Sequence, residues 1–515
     1  MWTSNRLRLS TLLVLGLAWP AAAEGPLSAI DWLSQSVALP VALPVEPRPA
    51  KPADIAKDAL PESVSVQTID GPSQDAVGLL PVSVTGLPRD LWGPSLTDEV
   101  VALLGADLNH TLPSLRQVYY RLLLAEVKPP LDSDSRGRLF LARVDHLLDM
   151  GALDQAQALL EQAGPLQPET FRRWLDVSLL LGNEDRACRT MVDLPFVSPT
   201  FPTRIFCLVR SEQWSTAALT LQTGRALGLI SPEEDALLSR FLDPELYEGQ
   251  QPLPALSRPT PLGWRMMQAI GQPMATNALP LAFAQGDLLP TTGWKAQIEA
   301  AERLTKSGAL PATRLFGLYT KAKPAASGGV WDRAAAVQAF DAAYRAADLA
   351  AMSRTLPVVW QKMEGAELEV AFAEIYGEAL ATAGLQGSAG AIAFRIGLLS
   401  PAFETVAETH DAFSPEEMFL SALAKGNLAG TSPPDSLGAA IKSGFSSPAL
   451  AAETTRQIAD QRIGEVILRA LAAITEGASG DLAQVSDGLA TLRALGLEAD
   501  ARRAALELIL LERRG

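Results

Sequence analysis

Apolar residues recur at helical spacing along most of this chain, and single glycines interrupt the pattern. In the clearest case, residues 139–163, two apolar helical faces flank Gly151. In chain order these faces comprise Phe140, Val144, Leu147, Leu148, Leu153, Ala156, Leu160 and Ala163. Two helices joined by a short glycine turn form an antiparallel αα-hairpin. The sequence therefore predicts an all-α fold.

Further helical pairs follow the first one. Residues 170–181 pair with 184–192, and 203–211 pair with 215–227. Helical segments resume after a Pro-rich break at 249–261 and continue to the C-terminus. Successive αα-hairpins bury their apolar faces by stacking, so we expect a superhelical array, a degenerate solenoid without a strict period. The break predicts two helical-repeat domains, residues 92–248 and 262–515, joined by the linker 249–261.

One segment resembles a known repeat. Residues 141–163 are similar to a tetratricopeptide-type helix pair through Gly151-Ala152, Ala156 and Leu159-Leu160. The whole chain also resembles a set of secreted alphaproteobacterial helical-repeat proteins of unknown function, some of which carry an antifreeze-glycopeptide label. An Ala-Ala-Thr tripeptide array, which would support that label, is missing from the sequence. The resemblance implies a helical-repeat architecture, but it does not imply any catalysed reaction.

The N-terminus has the order of a secretory signal. Arg6 and Arg8 precede a short apolar stretch, residues 12–19, and the small residues 21–23 follow Pro20. We expect residues 1–23 to be a signal peptide, since the apolar run is shorter than the ~20 residues of a membrane span. An uncleaved anchor is the alternative. Export to the bacterial periplasm fits this signal best, and no later segment predicts a membrane span.

Residues 24–91 are rich in proline, with ten prolines and Trp32 as the one aromatic residue. Because proline fixes φ and removes a backbone donor, long helices are disfavoured here. We expect a low-order, Pro-rich tether with polyproline character, either a passive linker or a docking peptide for a partner. Residues 64–68 and 82–85 are candidates for short strands within it.

The charge of the chain argues against one class of partner. The formal net charge is −15, with 43 Lys and Arg against 58 Asp and Glu. Phosphate recognition depends on Lys and Arg, so a nucleic-acid partner is not expected.

The two cysteines of the chain, Cys188 and Cys207, are the strongest candidates for a covalent cross-link. In an exported protein such a pair predicts a disulfide, here one that ties two successive helical hairpins together. Free buried thiols or a redox pair are the alternatives, but a thioredoxin-like site needs Cys-x-x-Cys.

Sequence motifs typical of catalytic or ligand-binding sites are otherwise missing from the sequence. His110, His146 and His410 have no second His or Cys at metal-ligand spacing. Neither Gly-x-Ser-x-Gly nor a phosphate-binding glycine loop occurs in a strand-to-helix context. The carboxylates at 364–369 and 404–408 are explained by solvated helix faces. We therefore expect no catalytic, cofactor-binding or metal-ligating residues and no cofactor.

One stretch of the sequence combines aromatic and basic residues. Trp294, Lys295, Tyr319, Trp331 and Arg333 could line a groove for an anionic or glycan ligand. The alternative is that the tryptophans fill junctions between helices.

These features favour a periplasmic, non-catalytic scaffold or assembly factor that binds another protein of the cell envelope, because stacked helical pairs build extended binding surfaces. One alternative is a cell-wall-acting hydrolase or lyase, which would need two facing carboxyl groups in a cleft. The other is a structural envelope protein that self-associates.

Overall fold

The computed structural model describes residues 73–106, 111–134, 136–446 and 449–511. Within these ranges the protein is all-helical, as predicted, and its only β pairing is an isolated parallel bridge between Leu80 and Ala125. The predicted signal peptide, residues 24–72 of the predicted tether, the candidate strand at 64–68 and His110 lie outside the described residues.

The helices that precede the predicted linker are short to medium in length. They are α1 (Val82–Thr85), α2 (Thr97–Leu104), α3 (Pro113–Leu124), α4 (Arg138–Asp149), α5 (Leu153–Ala163), α6 (Pro168–Leu181), α7 (Asp185–Asp193), α8 (Phe201–Arg210), α9 (Trp214–Ala226) and α10 (Pro232–Leu242). Residues 248–260 contain no helix.

Fifteen more helices follow. They are α11 (Pro261–Ala269), α12 (Ala284–Asp287), α13 (Trp294–Lys306), α14 (Ala312–Tyr319), α15 (Val330–Arg345), α16 (Leu349–Glu364), α17 (Glu369–Thr382), α18 (Gly387–Leu398), α19 (Phe403–Thr409), α20 (Pro415–Ala424), α21 (Ser436–Phe445), α22 (Ala452–Ala459), α23 (Ile463–Gly477), α24 (Leu482–Ala494) and α25 (Glu498–Leu510).

The hairpin predicted around Gly151 is present as α4 and α5. Gly151 has φ +74°, a left-handed conformation that glycine adopts without strain. A Cβ at this position would lie 2.7 Å from Leu304 Cδ2, so the turn also fits closely against α13. The sequence Ser-Pro-Glu-Glu at 231–234 also predicts a helix start, with a capping serine and a glutamate three residues later, and α10 begins there. Ser231 and Glu234 form a reciprocal capping box at the start of α10.

Residues 73–91, within the predicted tether, pack against the helical body. Asp75 is buried and its Oδ1 accepts a hydrogen bond from the Phe140 amide at 2.7 Å. The buried Arg143 side chain donates to the carbonyls of Val77, Leu123 and Ala125. Leu87 and Leu91 are buried too. This segment is therefore anchored by polar and apolar contacts.

The candidate strand at Val82–Thr85 is wrong, because these residues form the single turn α1. The turn ends at Gly86, whose φ of +68° lets its amide donate to the Val82 carbonyl. The β-branched side chains suggested a strand, but glycine at the left-handed position closes a helical turn instead.

Helices from the two ends of the chain pack against each other. The α3 helix contacts α23 and α25, and α2 contacts α23. The buried Glu507 of α25 accepts hydrogen bonds from the Ser114 amide at 3.0 Å and the Ser114 hydroxyl at 2.7 Å. Arg121 pairs with Asp500 beside them. A solenoid whose repeats touch only their neighbours along the chain has no such contact.

Helices on either side of the predicted linker are also in contact. The α11 helix packs on both α6 and α10, and the Gln285 side chain donates to the Gly151 carbonyl at 2.7 Å. The buried apolar residues from Leu87 to Leu511 form one continuous cluster. The 249–261 segment is thus a loop beside a shared core.

Candidate binding sites

The predicted groove residues pack largely against one another. The rings of Trp294 and Trp331 have centroids 5.0 Å apart, and both side chains are half-buried. Trp294 Nε1 donates to the Leu318 carbonyl at 2.8 Å. The two tryptophans therefore fill the junction of α13, α14 and α15.

Tyr319 and Arg333 share one partner in the same junction. The buried Tyr319 hydroxyl donates to Glu302 Oε1 at 2.7 Å, and Arg333 Nε donates to the same oxygen at 2.7 Å. Burial, together with the Glu302 carboxylate, raises the pKa of Tyr319 well above its usual value. Lys295 lies apart, exposed, with Nζ 3.6 Å from Glu299 Oε1. The polar groups of Tyr319 and Arg333 are thus directed to Glu302.

The two cysteines are at disulfide distance. Cys188 of α7 and Cys207 of α8 have their Cα atoms 4.8 Å apart, and both residues are buried. The pair joins two helices that also pack on each other. Phe206, the residue before Cys207, lines a cavity.

That cavity has a volume of about 580 Å³ and lies between α8, α10, α11 and the residues before α13. Its lining combines charged, apolar and small polar side chains. It consists of Glu184, Phe206, Arg210, Phe241, Arg265, Gln268, Ala269, Pro273, Met274, Asp287, Thr291, Thr292 and Gly293. We call it the Glu184 cavity.

Glu184 is the unusual residue of this lining. Its side chain is only 1% exposed. Oε1 lies 3.2 Å from Arg265 Nε and 3.8 Å from Arg210 Nε. Oε2 has no hydrogen-bond partner among the described residues. A buried carboxylate oxygen without a protein donor is costly unless water or a ligand donates to it, so Oε2 marks a position where such a donor can bind.

A second carboxyl group, Asp287, lines the same cavity. It accepts a hydrogen bond from the Thr276 hydroxyl. Burial raises the pKa of Asp287, and the Thr276 hydrogen bond and Arg303 partly offset that effect. Nothing in the sequence distinguished Glu184 or Asp287 from the many solvated carboxylates, because burial is decided by distant helices.

A different feature appears on the outer face of α9. Only Ala217, Leu221 and Gly224 of this helix are buried. Trp214 is 50% exposed, Leu219 64% and Leu227, directly after the helix, 62%. The one charged residue of α9 is Arg225, which bonds to Asp235 and Ser239 of α10. Apart from Arg225, the exposed side chains of α9 are therefore apolar or neutral polar.

His146 and His410, the two histidines among the described residues, are not part of these sites. Burial lowers the pKa of His146, with Asp145 partly offsetting it, and its ring meets Tyr119 edge-on at 6.1 Å. His410 stacks on Phe394 with ring centroids 3.7 Å apart. Among the described residues no group of three or more His, Cys, Asp or Glu side chains has the arrangement of a metal site.

Comparison with known proteins adds no relative. No family model matches the chain, and no curated protein or solved structure matches it. Across the described residues, every helix is too short or too polar to cross a membrane.

Proposed function

We propose that this chain is a non-catalytic periplasmic scaffold or assembly factor that binds another envelope protein through the outer face of α9. The observation that carries the proposal is the exposed surface of that helix, on which Arg225 is the one charged residue and Trp214, Leu219 and Leu227 are at least half exposed.

The composition of this face is that of an interface core. Interface cores are depleted in charged residues and enriched in aromatic ones, and tryptophan is prominent among residues that dominate binding energy. The remaining exposed side chains of α9 are Ala, Ser, Thr and Gln, with Arg225 held by α10. A partner helix or sheet that covers α9 would have to desolvate one charge of this helix, Arg225, which Asp235 already compensates.

Charge favours a different protein over a second copy. The chain has a formal net charge of −15, and proteins so far from neutrality repel their own copies. The partner that fits is less acidic, with an apolar patch that meets α9.

Site-specific photocrosslinking in the intact envelope tests this proposal. A photoreactive amino acid replaces Leu219 in the full chain, and a matched variant carries it at the exposed Glu476 of α23. We expect one stoichiometric heterologous product from position 219 and none from position 476. Equal crosslinking from both positions, or no product from position 219, would refute the α9 interface.

The rival functions give different results in the same cells. A self-associating structural protein would crosslink position 219 to a second copy of this chain. A cell-wall hydrolase or lyase would release soluble glycan or peptide fragments from purified wall material. Either result, obtained without a heterologous product, would replace the scaffold proposal.

A further inference from the structure

We propose that the Glu184 cavity binds a small zwitterion, an amino acid or short peptide with a free ammonium group, a free carboxylate and an apolar side chain. This inference goes beyond the scaffold function and does not depend on the α9 face. It rests on three features of the cavity, each of which matches one part of such a ligand.

The first feature is the Glu184 carboxylate. Its Oε1 is engaged by Arg265, and Oε2 has no donor among the residues described, although the side chain is 99% buried. An ammonium group supplies the missing hydrogen bonds and a compensating charge. Hydrogen bonds between charged groups are about twice as strong as neutral ones. Glu184 therefore marks the ammonium end.

The second feature is Arg265. Its Nε bonds to Glu184 Oε1 at 3.2 Å and its Nη1 to Gln268 Oε1 at 3.2 Å. Its Nη2 has no hydrogen-bond partner in the described part of the chain. Arg265 lines the cavity, and we infer that its guanidinium supplies the positive charge for a ligand carboxylate. Arg210 is directed mainly to Asp185, with its Nε 3.0 Å from Asp185 Oδ1.

The third feature is the apolar wall. Phe206 and Phe241 are stacked with ring centroids 5.4 Å apart, and Met274 and Pro273 lie beside them. Such a surface accepts an aliphatic side chain. The volume of about 580 Å³ lies within the range of ligand pockets, which is roughly 300–1,000 Å³.

The charges of the lining select a neutral zwitterion over an ion of one sign. Glu184 and Asp287 supply two acidic groups, and Arg210 and Arg265 supply two basic groups. A simple cation would make no use of the positive charge of Arg265, and a simple anion would leave Glu184 Oε2 without a donor. A zwitterion satisfies both groups at once.

Isothermal titration calorimetry of the full mature chain tests the proposal with defined probes. We expect saturable binding of L-leucine or L-leucyl-L-leucine, with a Kd below about 1 mM. N-acetyl-L-leucine, which lacks the ammonium group, and L-leucinamide, which lacks the carboxylate, should each bind about tenfold more weakly or not at all. This comparison uses the unmodified protein, so it does not depend on the folding of any variant.

Two variants locate the site. Glu184→Gln keeps the shape of the side chain but removes its charge, and it should weaken L-leucyl-L-leucine binding about tenfold or more. Glu476→Gln, on an exposed face of α23, is the matched control and should leave binding unchanged. Circular dichroism confirms that both variants are folded.

Three results would overturn the proposal. The first is the absence of saturable binding of either probe, in which case the cavity holds water only. The second is equal binding of L-leucine and N-acetyl-L-leucine. The third is a folded Glu184→Gln variant with unchanged affinity.

Discussion

Arg173 of α6 and Asp145 of α4 form a bidentate ion pair inside the protein. Arg173 Nε lies 2.6 Å from Asp145 Oδ1, and Nη2 lies 2.8 Å from Oδ2. The Arg173 side chain is completely buried and also contacts Glu169 at 2.9 Å. The pair connects one αα-hairpin to the next, so it fixes how the two hairpins pack as well as contributing to stability.

Asp145→Ala should destabilise the protein by about 3 kcal/mol, because it leaves most of a buried guanidinium charge uncompensated. Urea unfolding followed by circular dichroism measures the change. Asp134→Ala removes the largely solvent-exposed pair with Arg136 and should cost less than about 1 kcal/mol. Similar losses in the two variants would show that the buried pair contributes no more than a surface pair.

Two glycines inside helices should respond in opposite directions to alanine. A Cβ at Gly286 of α12 would lie 2.2 Å from Trp264 Cη2, so Gly286→Ala should destabilise the protein by about 1–3 kcal/mol. No atom lies within 4 Å of a Cβ at Gly317 of α14, where alanine should stabilise the helix by up to about 1 kcal/mol. Thermal unfolding of both variants tests the packing around Trp264, and a tolerated Gly286→Ala would contradict it.

Breaking the bond between Cys188 and Cys207 should lower the free energy of unfolding by about 3 kcal/mol, on the loop-entropy model for a separation of 19 residues. Unfolding in the presence and absence of reductant measures this loss. The double variant Cys188→Ala, Cys207→Ala should match the reduced protein and be insensitive to reductant. Identical curves for the oxidised and reduced protein would mean that the bond does not stabilise the fold.

Because of His146, the free energy of unfolding should fall as the pH drops below about 6.5. Burial lowers its pKa in the folded protein below the usual 6.5, despite the opposing effect of Asp145. The unfolded chain therefore binds the extra proton first, and the stability present above pH 6.5 is lost as the pH falls. His146→Gln should flatten the dependence between pH 7 and pH 5 in urea titrations. If the variant kept the same slope of stability against pH, other titratable groups would be the cause of the pH dependence.

Local sequence signals predicted local structure well. The hairpin around Gly151 and the capping Ser231 were readable because periodicity, glycine and capping residues act within a few positions of each other. The pairing of Cys188 with Cys207 was predicted because the chain has two cysteines and its N-terminal sequence predicts export. The turn α1 was missed, since Val82–Thr85 has β-branched residues and only Gly86 indicates a helical stop.

The sites depend on contacts that periodicity does not encode. Glu184 reads as an ordinary acidic residue at the start of α7, and its burial results from Arg265, 81 positions later. The exposure of α9 could not be predicted from the sequence, for the opposite reason. Trp214 and Leu219 look like core residues in sequence, and only the packing of α8 and α10 shows which face they occupy.

The hydrogen bonds between Ser114 and Glu507 span 393 positions of the chain. Closing so long a loop lowers the entropy of the chain, and this loss must be compensated before the contact contributes any net stability. The Ser114 amide, buried in the finished protein, acquires its carboxylate partner only after α25 has been synthesised. Complete folding therefore waits for the synthesis of α25, and a nascent or truncated chain that ends before α25 leaves α3 without this partner helix.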